Sequence, residues 1–212
     1  MRTLLCFGDS NTHGTTPMTG LEDSQRYAWA DRWTGWLATL LPDWQVIEEG
    51  HPGRTTVHDD PIEGIHRNGM RVLPALLESH KPIDVVLVML GTNDLKQRFS
   101  INAMDIALSL ETVVLFIQAS AAGPGGSAPK VVLVAPPPIL EVQELGEIFA
   151  GGAAKSQALA PRIAAVARRT GAVFVDAGAL ISVSAIDGIH YDAPVQQVLA
   201  LAFCKTVKDH FG

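Results

Sequence analysis

Five short apolar runs, each closed by glycine, proline or a polar cluster, limit the fold of this chain more than any other feature. Thr3 to Phe7 stops at Gly8-Asp9-Ser10-Asn11, and Gln45 to Ile47 stops before Gly50 and Gly53. Asp84 to Leu90 stops at Gly91, Lys130 to Ala135 at Pro136-Pro137-Pro138, and Ala172 to Val175 at Asp176. The runs are rich in β-branched residues and nearly continuous, as strands buried on both faces must be. Between them lie helical patterns at Trp33–Leu41, Gly69–Ser79, Ala103–Ala121, Ala158–Thr170 and Val195–His210. Strand and helix alternating from end to end predict an α/β fold, a parallel sheet covered by helices on both faces.

The chain has 212 residues, a size that one α/β domain fills, and no internal repeat or low-complexity stretch divides it. A single domain spanning 1–212 is expected, with the glycine-rich stretch 123–129 as a loop too short to link two domains. Apolar residues make up 47% of the chain, and mean hydropathy is +0.19. That excess fits either a well-filled core or an apolar subunit interface.

Net charge is -6, and no run of Lys or Arg is present. Nucleic-acid binding needs clustered cations to neutralise phosphates, and docking on an acidic membrane surface needs a basic patch, so neither partner is expected. Cys6 and Cys204 lie at opposite ends with no metal-ligand spacing, and Cys6 reads as a small buried hydrophobe. Arg2 is followed only by the short apolar stretch Leu4–Phe7, and no run approaches membrane-spanning length. A soluble, cytoplasmic protein is the expectation.

In open parallel sheets, ligands bind beyond the carboxyl ends of the strands. The residues just after each run are therefore the first candidates for chemistry. Ser10 follows a strand and a Gly-Asp pair and opens a helical turn, where helix amides favour negative charge that develops nearby. The same tripeptide is also ordinary capping chemistry. Asp187 and His190 stand three residues apart, a spacing that lets a carboxylate hold one imidazole nitrogen and free the other for a serine hydroxyl. They equally fit a surface loop before the last helix. Asn93 offers a side-chain N–H, Gly53 an unshielded backbone N–H, and Ser10 its own amide, three donors suited to an oxyanion. Asn93 also suits a simple turn.

Phe7-Gly8-Asp9-Ser10, Glu48-Glu49-Gly50-His51-Pro52-Gly53, Gly91-Thr92-Asn93-Asp94 and Asp187-Gly188-Ile189-His190 follow one another across the chain. These four ordered blocks resemble those of the SGNH (GDSL-like) hydrolases, and the likeness spans residues 7 to 190. It implies a flavodoxin-like three-layer α/β/α sandwich with a central parallel five-stranded sheet. It also implies Ser10, Gly53, Asn93 and His190 as the four name-giving residues, Asp187 as the orienting carboxylate, and no metal or organic cofactor. Gly8–Asn11, Glu48–Thr56 and Asp187–His190 look most like the bacterial arylesterase and acyltransferase branch. That branch is often oligomeric, and Ile139–Phe149 is the corresponding candidate for both pocket wall and interface. Departures are His51-Pro52, where a Leu-Ser or Leu-Asn pair is more usual, His13, where relatives often have Trp, and Glu48, where many members have Asn though the arylesterase-like branch shares this Glu.

The resemblance implies a serine esterase or acyltransferase acting on acetyl-like esters of aryl or small alkyl alcohols. A carbohydrate O-acetyl esterase, and a lysophospholipase or thioesterase, share that mechanism. A non-catalytic flavodoxin-like binding module is the rival from a different class. Asp9, Asn11, His13, Trp29, Thr92 and Ile189 are candidate pocket residues. His13, three residues past Ser10, is also a rival base. His58-Asp59-Asp60 reads as a polar turn before Pro61 rather than a metal site. Trp33 and Trp36, at helical spacing, read as core.

Overall fold

The computed structural model describes residues 1–23 and 25–212. Five parallel strands, β1 (Arg2–Gly8), β2 (Trp44–Gly50), β3 (Val85–Met89), β4 (Lys130–Ala135) and β5 (Val173–Asp176), form one sheet in the order β2-β1-β3-β4-β5. The longer helices are α2 (Trp33–Leu40), α3 (Gly69–His80), α4 (Ala103–Ala119), α7 (Leu159–Thr170) and α8 (Ala193–Phe211). Short ones are α1 (Ser10–His13), α5 (Gln143–Ile148) and α6 (Gly152–Ser156). The expected α/β/α sandwich with five parallel strands is the fold observed.

The reason the runs are continuous is visible in the packing. Along β1, Leu5 and Phe7 join the core under α3, α4 and α7, while Leu4 and Cys6 join the core under α2 and α8. β3 and β4 divide in the same way, with Val86 and Val88 on one side and Leu87 and Met89 on the other. Alternate side chains point to opposite faces of a strand, so only an unbroken apolar run satisfies two helical layers. The edge strands β2 and β5 are mostly half-buried, and the expectation of burial on both faces fails there. β2 also runs three residues past the expected Gln45–Ile47, because Glu48, Glu49 and Gly50 keep the ladder with Cys6, Phe7 and Gly8. Backbone pairing carries the strand on after its apolar signal has ended.

Trp33 is fully buried, edge-on to Phe203 at 5.0 Å, and its indole N–H donates to the Asn11 carbonyl at 3.0 Å. Trp36 packs half-buried against the same core. Helices α5 and α6 lie where no helix was expected, since runs of six and five residues are too short to show a helical period. Among the described residues, no helix is long and apolar enough to cross a membrane.

β1 sits between β2 and β3, where connections leave in opposite directions, and this crevice is where an open parallel sheet places its ligand site. Close backbone approach packs the elements at its flank. A Cβ at Gly50 would strike the backbone of Thr12 and His13, so the end of β2 packs directly on α1. Gly50→Ala is expected to cost about 1–3 kcal/mol of stability, the range for overpacking a filled site. Gly20→Ala, which meets nothing nearer than 4.0 Å, should lie near zero. Urea unfolding of both checks this, and equal midpoints would show the β2–α1 contact to be slack.

Candidate active site

No side chain fits at Gly8, the last residue of β1. A Cβ would meet the Thr12 side chain and the Met89 carbonyl. The chain then turns, and Asp9 caps α1 by accepting from the Asn11 N–H at 2.9 Å. This turn directs Ser10 toward the carboxyl edge of the sheet. Its Oγ lies 3.0 Å from His190 Nε2, and His190 Nδ1 lies 2.6 Å from Asp187 Oδ2. All three residues are buried at 6%, 5% and 1% exposure, so little water competes for these bonds.

The Asp187–His190 loop is built to hold that line. Asp187 Oδ1 accepts the backbone N–H groups of Ile189 and His190, each at 2.9 Å. Gly188 takes φ +75°, and its carbonyl accepts from Leu140 N–H at 2.9 Å. Ser184 N–H donates to the His190 carbonyl at 2.7 Å, and the Asn11 side chain donates to Ile189 O at 3.1 Å. Asp187 Oδ2 also accepts from Met18 N–H at 2.7 Å. Burial by itself would raise the Asp187 carboxyl, but the His190 ring and the Ile189 and His190 amides outweigh it and leave the group below its ordinary range.

Asn93 opens a short 3-10 turn, Asn93–Leu95, directly after β3. Its amide lies 3.5 Å from Asp9 Oδ2. Gly53, at φ +74°, sits in the turn after β2. Ser10, Gly53, Asn93 and His190 line one cavity of about 410 Å³. Its apolar wall is Met18, Leu21, Leu145, Ile148, Phe149 and Ile189; its polar wall includes His13, Thr15, Gln25, Glu63, Arg67 and Lys96.

Of the six pocket candidates, His13 and Ile189 line this cavity and the other four do not. Asp9 and Asn11 lie beneath it, committed to the cap and to the His190 loop. Thr92 is buried behind Asn93, and its carbonyl accepts from Leu95. Trp29, 45% exposed, stands outside the cavity with Arg32 against its ring, and its carbonyl lies over Gly35. His13 as a rival base is not favoured, since His190 holds the serine. Burial and then Arg26 lower the His13 ring, against a smaller opposing influence of Glu48. His58, Asp59 and Asp60 diverge to Asp94, to Arg71 and Asn68, and to Lys96 and Arg98, respectively.

Sequence reasoning missed Met18, Leu21, Gln25, Glu63, Arg67 and Lys96. They lie on loops, or for Arg67 in the short 3-10 turn Ile65–Arg67, without periodicity to mark them. The segment Ile139–Phe149 does supply the wall, through Leu145, Ile148 and Phe149.

Residues 6–197 match the model of the GDSL-like Lipase/Acylhydrolase family. The chain is similar to the aryl esterase of M. smegmatis, with 40% identity, 99% of each chain covered and a TM-score of 0.94. It is similar to Est24, a carbohydrate acetylesterase from Sinorhizobium meliloti, with 39% identity, 100% of each chain covered and a TM-score of 0.95. A putative arylesterase from Agrobacterium tumefaciens gives 37% identity, 99% of each chain and a TM-score of 0.87. No curated protein matches the chain.

Burial is the strongest influence on Asp9 and pushes its carboxyl up to about 6, against the Asn11 amide, His190 and Arg54. The folded protein therefore keeps this proton where the unfolded chain, near 3.8, has lost it. Stability contributed at Asp9 falls as pH rises through that window, and is level above it. Asp9→Asn keeps a cap acceptor and cannot ionise. Urea unfolding should show the variant gaining on the wild type from about pH 4 to about pH 7. A difference that stays constant across that range would count against the shift.

Proposed function

The chain belongs to the GDSL-like lipase/acylhydrolase family, and from that membership we propose that it hydrolyses short-chain carboxylic esters of aryl or small alkyl alcohols through an acyl-Ser10 intermediate. The observation that carries this reading is the continuous hydrogen-bonded line from Asp187 through His190 to Ser10, opening into one cavity with Gly53 and Asn93.

In the proposed cycle, Ser10 Oγ attacks the ester carbonyl while His190 Nε2 takes its proton. Asp187 holds the ring in the tautomer that leaves Nε2 free, and stabilises the imidazolium that forms. The carbonyl oxygen becomes an oxyanion, held by the N–H groups of Ser10 and Gly53 and by the Asn93 side chain. Preorganised donors of this kind contribute about 3–4 kcal/mol each to the transition state. The intermediate collapses, and the departing alkoxide or phenoxide takes the proton from His190. Water then attacks the acyl carbon, with His190 again as base, and the carboxylic acid leaves Ser10. A competing alcohol in place of water gives acyl transfer.

Leu145, Ile148 and Phe149 line the cavity of about 410 Å³, an apolar wall suited to an ester's acyl group. The second reading, a carbohydrate O-acetyl esterase, draws on the polar wall. Glu63, Arg67 and Lys96 border the same cavity, and a hydroxyl-rich alcohol suits them better than a phenol does. Assembly into a homo-oligomer is part of the proposal. Leu140 and Ile186, beside the cavity-forming segment, are 44% and 43% exposed, and burial against a second copy would cover them.

Initial rates on p-nitrophenyl acetate, butyrate and octanoate, for wild type and Ser10→Ala, test the main reading. Acetate should be fastest and octanoate slowest, and Ser10→Ala should lose roughly 10⁴-fold or more. Preference for octanoate would refute the small acyl pocket, and an active Ser10→Ala would refute the nucleophile. An acetylated sugar outperforming p-nitrophenyl acetate would favour the second reading. Light scattering should give a multiple of the 22.6 kDa chain mass, and a monomer would refute the oligomer.

A further inference from the structure

The turn that carries Gly53 is gripped by a second turn, Ile65–Arg67. Thr55 N–H donates to the Arg67 carbonyl at 2.9 Å, and Thr55 bridges Asn68. From that anchor the Arg67 side chain reaches back, and its Nη1 donates to the carbonyl of Pro52. Nη1 also lies 3.2 Å from His51 Nδ1, which is itself 3.0 Å from the Pro52 carbonyl. Burial, then Arg54 and Arg67, lowers the His51 ring. Whichever of the two supplies the proton, the Pro52 oxygen is held by a donor.

The guanidinium is aimed by charges that the triad does not use. Arg67 Nε lies 3.5 Å from Glu63 Oε2. Glu63 in turn pairs with Lys96, whose side chain is 5% exposed, and lies 3.6 Å from Arg98. Lys96 and Arg98 also engage Asp60, at 3.7 and 3.0 Å. A Cβ at Gly53 would run into Glu63 Oε2 and the Arg67 side chain, so this ion network lies directly against the peptide in question.

The Pro52 carbonyl and the Gly53 N–H belong to one peptide unit. Resonance couples them, so a charged donor on the oxygen draws electron density from the nitrogen and strengthens the N–H as a donor. We propose that Arg67 is a positioning residue for the reaction, orienting and polarising the Pro52–Gly53 peptide so that its N–H meets the oxyanion. This rests on the reading of Gly53 as an oxyanion donor. Arg67 acts on the transition state more than on the bound ester, because the ground-state carbonyl carries little of the charge it serves.

The test is steady-state kinetics on p-nitrophenyl acetate for Arg67→Met, Arg67→Lys and Asn93→Ala beside the wild type, with the rate of phosphonylation of Ser10 by a p-nitrophenyl phosphonate. Arg67→Met should lower kcat by about tenfold to a hundredfold, less than the roughly 10²–10³ for loss of a whole donor, with KM nearly unchanged. Phosphonylation, which also builds charge on an oxygen in that place, should slow in parallel. Arg67→Lys keeps a cation and should recover part of the rate. Urea unfolding of each variant separates this from a loss of fold. Arg67→Met with wild-type kcat and slow Asn93→Ala would overturn the role of Arg67 alone. Wild-type kcat in both Arg67→Met and Asn93→Ala would overturn the oxyanion reading beneath it. A stable Arg67→Met whose KM rises while kcat holds would make Arg67 a substrate contact and overturn the proposal.

Discussion

The parallel pairing of β1 with β3 is the constraint on which the rest of the site depends. Gly8 stands opposite Met89, so the two strands end level with one another. The chain leaves β1 into the Ser10 turn and β3 into the Asn93 turn on the same edge of the sheet. A slip of one residue would turn every side chain of β1 to the other helical layer, and both layers are filled. Core packing thus sets the register, and the register sets the distance between a hydroxyl and an amide that no direct bond joins.

Several polar groups at that edge are buried, and their hydrogen bonds connect the loops. Asp94 is fully buried and accepts from the Thr56 N–H, from the Thr56 hydroxyl at 2.5 Å and from His58 Nδ1 at 3.1 Å. It thereby ties the turn after β3 to the segment after β2. Arg54 lies over the Phe7 ring and donates to the Gly8 carbonyl at 2.9 Å, joining that segment to the end of β1. Burial lowers Arg54 to about 10, still well above neutrality. Glu48 draws in Arg26, Arg32 and Thr34 on the other flank. The site is therefore framed by charges that do not line the cavity themselves.

The layered fold was legible because burial on two faces demands apolar continuity, and Leu4–Phe7, Val85–Leu90 and Val131–Ala135 display it. The edge strands were legible only in part, since the end of β2 is held by backbone pairing that a side-chain pattern does not record. Ser10, Gly53, Asn93 and His190 could be found because each follows a strand or sits in a short ordered block, and the structure brings all four to one cavity. Trp29 was misplaced because its exposure depends on Arg32 and Gly35, contacts with no sequence signature. Arg67 and Lys96 were invisible for a related reason. Their place in the cavity wall comes from a fold that brings residues 52, 63, 67 and 96 together, and spacing along the chain says nothing of that.

The bond from Met18 N–H to Asp187 joins two things usually treated as separate. Met18 and Leu21 form part of the cavity wall, on a connecting loop, the kind of segment in which substitutions are generally tolerated. Yet that loop is hydrogen-bonded to the same carboxylate oxygen that meets the His190 ring. Insertions or substitutions near Met18 that reshape this wall of the cavity would also disturb its hydrogen bond to Asp187. On the proposed mechanism, substrate range and catalytic poise would thus be coupled through one hydrogen bond. Laboratory evolution toward larger esters would meet that coupling first, and its successful lineages should carry compensating changes in the Ser184–His190 loop.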